Sequence, residues 1–227
     1  MNFPGYLCSS IALFVANILY ATTVTIEDFD GYTDTVSLQA DVTTFGSATR
    51  TGLPTLAQGV GVNNTNAVHL ILNWEYGNNT NLSLTNLNQA ARSLSAVSSI
   101  QSSIYLETAS ESSAVTNPTL VKLAIEGIDG TIWQTKTRFA VQPVLGTFYE
   151  MAFNVSSVDM ESVSTENGSF EDTMVDIQSI RFRFENSVQA GVFEDAYIDS
   201  IVSVTNLPDE PSKGTIIQLG TIDIPIF

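Results

Sequence analysis

Cysteine is all but missing from this sequence. Cys8 is the only one, and His69 is the only histidine. These scarcities exclude an intrachain disulfide and His-rich zinc centres, and Cys/His nucleophilic catalysis too once Cys8 is removed with the signal expected below. Positive charge is scarce as well: eight Lys and Arg stand against 24 Asp and Glu, giving a formal charge of −16 and a pI near 4.1. Affinity for phosphate comes chiefly from Lys and Arg, so the balance excludes nucleic acid and works against anionic lipid. Acidic polysaccharides meet the same repulsion, which leaves neutral glycans as the easier partners. A Gly-x-Ser-x-Gly nucleophile motif is also absent.

Long apolar runs are lacking too. Residues 11–21 form a short apolar stretch ending in Ala21, short of the roughly 20 residues that a membrane span needs. Its layout predicts a cleaved secretory signal over residues 1–21, although the segment before it carries no Lys or Arg. Cys8 lies inside it, so the exported chain would have no cysteine and would rely on core size or a bound metal. Neither an integral span in the mature chain nor a cytoplasmic location is expected.

What is present is β-pattern. Hydrophobic residues make up 44% and charged residues only 14% of 227 positions, enough for one sandwich-sized core. Val68, Leu70, Leu72, Trp74 and Tyr76 share one parity and His69, Ile71, Asn73 and Glu75 the other, the mark of a strand with one apolar face. Strands are further predicted over 99–106, 119–128, 148–155, 177–185 and 192–204. An Asp129-Gly130 turn should return residues 131–141 as a hairpin partner. Residues 73–88 and 156–176 read as long polar loops, and 85–96 as a loop with one or two helical turns. No βαβ rhythm occurs. The expectation is an all-β, antiparallel sandwich over 22–205, followed by a linker and apolar tail over 206–227.

Acidic strand-like segments bracket this region, Ile26 to Tyr32 at the start and Phe193 to Val204 at the end. Their pairing would bring carboxylates from both ends to one place, which suits a hard cation. The order of features resembles the galactose-binding-like jelly rolls, among them non-catalytic carbohydrate-binding modules of secreted bacterial polysaccharide-degrading systems. The stretches that carry the resemblance are Glu27 to Gly31, Gly59 to Val62, Ala67 to Trp74, Leu94 to Ile100, the hairpin Lys122 to Trp133, and Ala196 to Ile201. In such modules a structural calcium ties the first strand to the last. The resemblance implies Asp30 and Asp199 as ligands, with Asp28 as a helper.

Sugars are held by aromatic faces, with amides and charged groups fixing their hydroxyls. Trp133, beside the Asp129-Gly130 turn and sharing parity with threonines, is the candidate stacking ring; Gln134, Lys136 and Arg138, which share the other parity, are the hydrogen-bonding set. Tyr76, by the asparagine-rich segment, is a further candidate, whereas the parity of Trp74 places it in the core. His69 is either a ligand-facing group or a satisfied interior histidine. Glycoside hydrolysis would need two carboxylates, but no Glu-x-Asp-x-x-Glu strand is present. The reading is a secreted, calcium-stabilised module that binds polysaccharide without transforming it. A cell-surface structural or protein-binding module is the alternative, and a lyase or hydrolase on the same fold the lesser one.

Overall fold

The computed structural model describes residues 21–46, 53–74, 79–87, 89–108, 119–141, 147–166, 168–185 and 192–205. The expected signal up to residue 20, Tyr76, the side chain of Trp74 and the tail over 206–227 lie outside the described residues. Strand β1 (Thr22–Glu27) leads to a short helix α1 (Thr35–Asp41). There the Asp34 carboxylate accepts from the Ser37 amide, and the Ser37 hydroxyl accepts from the Asp34 amide, a reciprocal cap. Then come β2 (Val42–Gly46), β3 (Thr55–Ala57), β4 (Ala67–Trp74), β5 (Asn79–Leu84), β6 (Ser99–Thr108) and β7 (Thr119–Gly127). The second half holds β8 (Ile132–Thr135), β9 (Phe139–Val141), β10 (Tyr149–Asn154), β11 (Met160–Ser162), helix α2 (Phe170–Val175), β12 (Ile177–Glu185) and β13 (Val192–Thr205).

These strands form two antiparallel sheets. One runs β10-β6-β13-β4-β3, with β1 also on β13; the other runs β11-β8-β7-β12-β5-β2, with β9 also on β7. Alternation puts one side of every strand into the space between the sheets. Val68, Leu70, Leu72, Ile100, Ile104 and Leu106 come from the first sheet, and Val121, Leu123, Ile125, Ile180, Phe182 and Phe184 from the second, all buried. The all-β sandwich expected from the sequence is the observed fold.

Three local expectations are corrected. Residues 73–88 are not simply a loop, because β5 runs through them with Thr80, Leu82 and Leu84 buried; its Asn and Ser residues are the outward half of a strand. Residues 156–176 hold both β11 and α2, the latter capped by Ser169, whose side chain accepts from the Asp172 amide. The hairpin return over 131–141 breaks in two. Gln134 pairs with Ala124, so an unbroken ladder would set Thr137 opposite Val121, yet Phe139 takes that place. The extra residues bulge out at 136–138, carrying Lys136 and Arg138 to the surface. The Asp-Gly turn is present, with Gly130 at φ +84, a conformation that favours glycine.

Candidate functional site

The first and last strands do pair: β1 lies antiparallel to β13, from Thr22 opposite Thr205 to Glu27 opposite Ile201. Along the same edge β13 changes partner. Val192 to Ile198 pair with β4, and Ile201 to Thr205 with β1. The seam falls at Asp199 and Ser200, where Ser200 takes φ +53 and the register with β6 also shifts.

Asp199 shares parity with Asp195 and Tyr197, so it points away from the core, yet it is fully buried. The loop between β3 and β4 folds over it. Its Oδ2 accepts from the Val62 amide at 2.8 Å, and the Thr65 hydroxyl lies 2.8 Å from the same oxygen and 2.6 Å from the Val62 carbonyl. Gly61 makes this approach possible, since a Cβ there would stand 2.6 Å from Asp199 Oδ2 and 2.7 Å from Thr65 Oγ1. The other carboxylate oxygen, Oδ1, is buried with no hydrogen-bond partner among the described residues.

Asp30 is exposed and holds the far end of the same loop, its Oδ1 accepting from the Asn66 amide at 2.8 Å. Asp28, also exposed, accepts from the Asp30 amide at 3.2 Å. Phe29 between them takes φ +60 and is fully buried, so strand parity does not extend past Glu27. Instead Glu27 Oε1 accepts from the amides of Asp28 and Phe29. Burial pushes the Glu27 carboxyl above its ordinary value, and burial beside Glu27 and Asp41, to which its hydroxyl donates, pushes Tyr32 far up.

Among the described residues no three Asp, Glu, His or Cys side chains gather as a metal-binding group. What fits a hard cation is one buried carboxylate oxygen without a partner among the described residues, at the junction of β1, β13 and the covering loop, whose far end is held by Asp30. Calcium accepts carbonyl and carboxylate oxygens alike, so such a seam can supply the remaining donors from backbone.

The sugar-binding residues read from the sequence divide between two faces. Trp133 pairs with Ile125 and Gln134 with Ala124, and Ile125 is a core residue. Trp133 therefore turns inward, half-buried, with its ring edge-on to Phe170 of α2 at 5.3 Å and 87°. Its indole N–H is buried without a partner among the described residues. Gln134 faces outward. Arg138 donates to Glu185 at 2.8 Å, and Lys136 donates to the Val158 carbonyl at 2.6 Å. Trp133 and Gln134 thus do not share a face.

Gln134 and Arg138 are instead joined by groups the sequence reading missed. The outer face of the seven-stranded sheet also carries Lys122, Arg181, Arg183, Glu126, Glu185 and Glu161. Arg183 Nε lies 2.8 Å from Glu185 Oε1, Arg181 binds Glu126, and Lys122 lies 3.7 Å from Glu161. Arg181 also rides over the Phe45 ring, 5.1 Å from its centroid. Lys122 and Gln134 lie on this face yet are only 7% and 6% exposed, covered by their neighbours. A signal existed in the sequence: Arg181 and Arg183 alternate with Phe182 and Phe184, opposite faces of one strand. His69 lies on the outer face of the other sheet, Nδ1 3.1 Å from Thr55 Oγ1 and Nε2 2.7 Å from Asp195 Oδ1.

No protein-family model matches the chain, and no curated protein does. Solved structures do. A family 11 carbohydrate-binding module from Clostridium thermocellum, in complex with a β-1,3-1,4-mixed-linked tetrasaccharide, is similar over 82% of this chain and 96% of its own, at 12% identity and a TM-score of 0.53. A module of family 28, specific for non-crystalline cellulose, matches over 74% of this chain and 89% of its own, at 12% identity and a TM-score of 0.52. An exo-β-agarase matches over 82% of this chain but 25% of its own length, at 11% identity and a TM-score of 0.52. These likenesses define the fold as a jelly-roll β-sandwich of the kind seen in carbohydrate-binding modules. Among the described residues no helix is long and apolar enough to cross a membrane.

Proposed function

We propose that this protein is a secreted module that binds a polysaccharide without cleaving it, through the outer face of the seven-stranded sheet. The observation that carries the reading is the array of Gln134, Lys122, Arg181, Arg183 and Arg138 with their carboxylate partners on that face. Such a surface offers donors and acceptors in fixed positions, the requirement for ordering sugar hydroxyls. Glu126 and Glu185 are paired with arginines, and Glu161 lies 3.7 Å from Lys122, so these carboxylates hold the cations of the array in place. The strongly acidic chain as a whole, with a formal charge of −16, favours a neutral glycan over an acidic one. The modules that share this fold add support, one of them being complexed with a β-1,3-1,4-mixed-linked tetrasaccharide.

The reading includes calcium at the seam of β1 and β13, with Asp199 through Oδ1 as the anchoring ligand, Asp30 beside it and Asp28 as the outer helper. The ion would lock the two terminal strands and the covering loop together, a structural rather than a chemical role. Export is inferred from the apolar segment of residues 11–21 and from the absence of cysteine after Cys8.

Affinity electrophoresis against soluble mixed-linkage β-glucan, galactomannan and agarose tests the binding role. The Gln134→Ala/Arg183→Ala chain is expected to lose retention at least tenfold while keeping its fold. New reducing ends or unsaturated products in the same incubations would replace this reading with an enzymatic one.

A further inference from the structure

We propose that Lys122 and Gln134 are joined by an isopeptide bond that the folded chain makes for itself, with Glu161 moving the protons. The three residues stand on three neighbouring strands of the seven-stranded sheet, all on its outer face. β8 is the middle strand of the three. Gln134 lies directly opposite Ala124 of β7 on one side and Glu161 of β11 on the other. Lys122 is two residues from Ala124 on β7, hence diagonal to Gln134, a separation that long side chains span. Ala124 offers only a methyl group between them, so both chains can lie across it. Lys122 Nζ is 3.7 Å from Glu161 Oε1.

Lys122 and Gln134 are 7% and 6% exposed, whereas lysine and glutamine are mostly solvated. An ammonium carries three donors, and a carboxamide two donors and an acceptor. Among the described residues neither side chain makes a hydrogen bond, and the contact with Glu161 is longer than one. The neighbouring cations differ: Arg138 and Arg183 stand 2.8 Å from Glu185, and Lys136 donates to the Val158 carbonyl at 2.6 Å. Covering polar groups without partners costs free energy, and condensation relieves it by turning the ammonium into a neutral amide.

The step balances without a co-reactant. Glu161 takes a proton from the Lys122 ammonium, and the freed amine attacks Cδ of Gln134. The Cδ–Nε2 bond breaks as the Nζ–Cδ bond forms. Nζ gives up two protons in all, one through Glu161 and one on attack, and both leave with the Gln134 nitrogen as ammonium. The carboxylate is regenerated. Glu161 thus acts first as base and then as acid, while fixed placement of amine and carboxamide supplies the effective concentration. The bond would give what absent cysteines cannot, a covalent clamp on the short strand β8, which pairs with β7 only from Ile132 to Gln134 before the break at 136–138. It does not rest on the carbohydrate reading, and the amide it leaves keeps a donor and an acceptor on the face.

Intact mass of the native full chain, measured under denaturing conditions, is the first test. It should fall short of the mass of its residues by one ammonia, and the deficit should vanish in Lys122→Arg and in Glu161→Gln. Trypsin should fail to cut after Lys122, and cleavage after Glu126 should leave two peptides joined through Lys122 and Gln134. A native chain without the deficit would overturn the proposal. So would an ammonia loss that fragment spectra place at other residues, or the loss of one water with Lys122 joined to Glu161. A full deficit in folded Glu161→Gln would overturn the role of Glu161. The mass and the digests of the native chain do not depend on how the variants fold, and they leave the glycan-retention assay to stand or fall separately.

Discussion

Asp30 and Asp199, far apart in sequence, hold the two ends of one loop: Asp30 accepts from the Asn66 amide and Asp199 from the Val62 amide, each at 2.8 Å. The loop in turn seals Asp199 from water. The pairing of β1 with β13 and the burial of that carboxylate meet at this seam, so a cation bound there would strengthen both.

Calcium is expected to raise the melting temperature, and a chelator to reverse it. With calcium at 100 times its Kd the gain is about 2.7 kcal/mol, which mass action sets for any ligand that binds only the folded state. In Asp199→Asn the shape is kept while the charge is lost, so the calcium-dependent shift should vanish with little change in the calcium-free melt. An equal calcium shift in the variant would remove Asp199 from the site.

Gly61→Ala should destabilise the chain by about 1–3 kcal/mol, the range for forcing extra volume into a filled space. The added Cβ meets Asp199 Oδ2, Thr65 Oγ1 and the Asn66 carbonyl, all within 2.8 Å. Denaturant unfolding measures the loss, and an unchanged midpoint would show that the loop can move aside.

Trp133→Ala should cost about 3 kcal/mol, the lower end for truncating a large aromatic because the ring is only half-buried. Glycan retention by the folded variant should be unaltered, since the indole packs on Phe170 rather than on the outer face. Weaker retention by a folded variant would return the ring to the binding surface.

Asp129 offers a pH test. Hydrogen bonds from the Thr131 amide and hydroxyl hold its carboxyl below its ordinary value of 3.8. A depressed folded value means that the unfolded chain binds the proton more tightly, so this contribution is present above 3.8 and lost as pH falls through the folded value. The gap in melting temperature between the native chain and Asp129→Asn should narrow on acidification below that value. Parallel curves would rule the linkage out.

Much of the sandwich was legible from local pattern. Ile177–Glu185 was read with its true ends, because Phe and Ile alternate there with polar residues and the strand is central, so both periodicity and burial act on it. β5 was hidden for the opposite reason: its outward residues are Asn and Ser, whose composition is that of a loop, and only its two neighbours, β2 and β12, make it a strand. Asp30 and Asp199 were singled out by resemblance as calcium ligands, but the loop that both of them bind was not foreseen, since Val62 and Thr65 act through a backbone amide and a hydroxyl that no pattern marks.

By itself the sequence determined the two-faced strands, the acidic field and the exclusion of intrachain disulfides and His-rich zinc centres, because these follow from parity, charge and residue counts. Tertiary structure alone decided that Trp133 turns inward, that Arg183 and Arg138 meet at Glu185, and that Tyr105 and Tyr197 line up with His69. Those are relations between strands, and register, which is set by a bulge at Asp199 and a break at 136–138, places each pair. A shift of one residue would have turned each of these side chains to the other face.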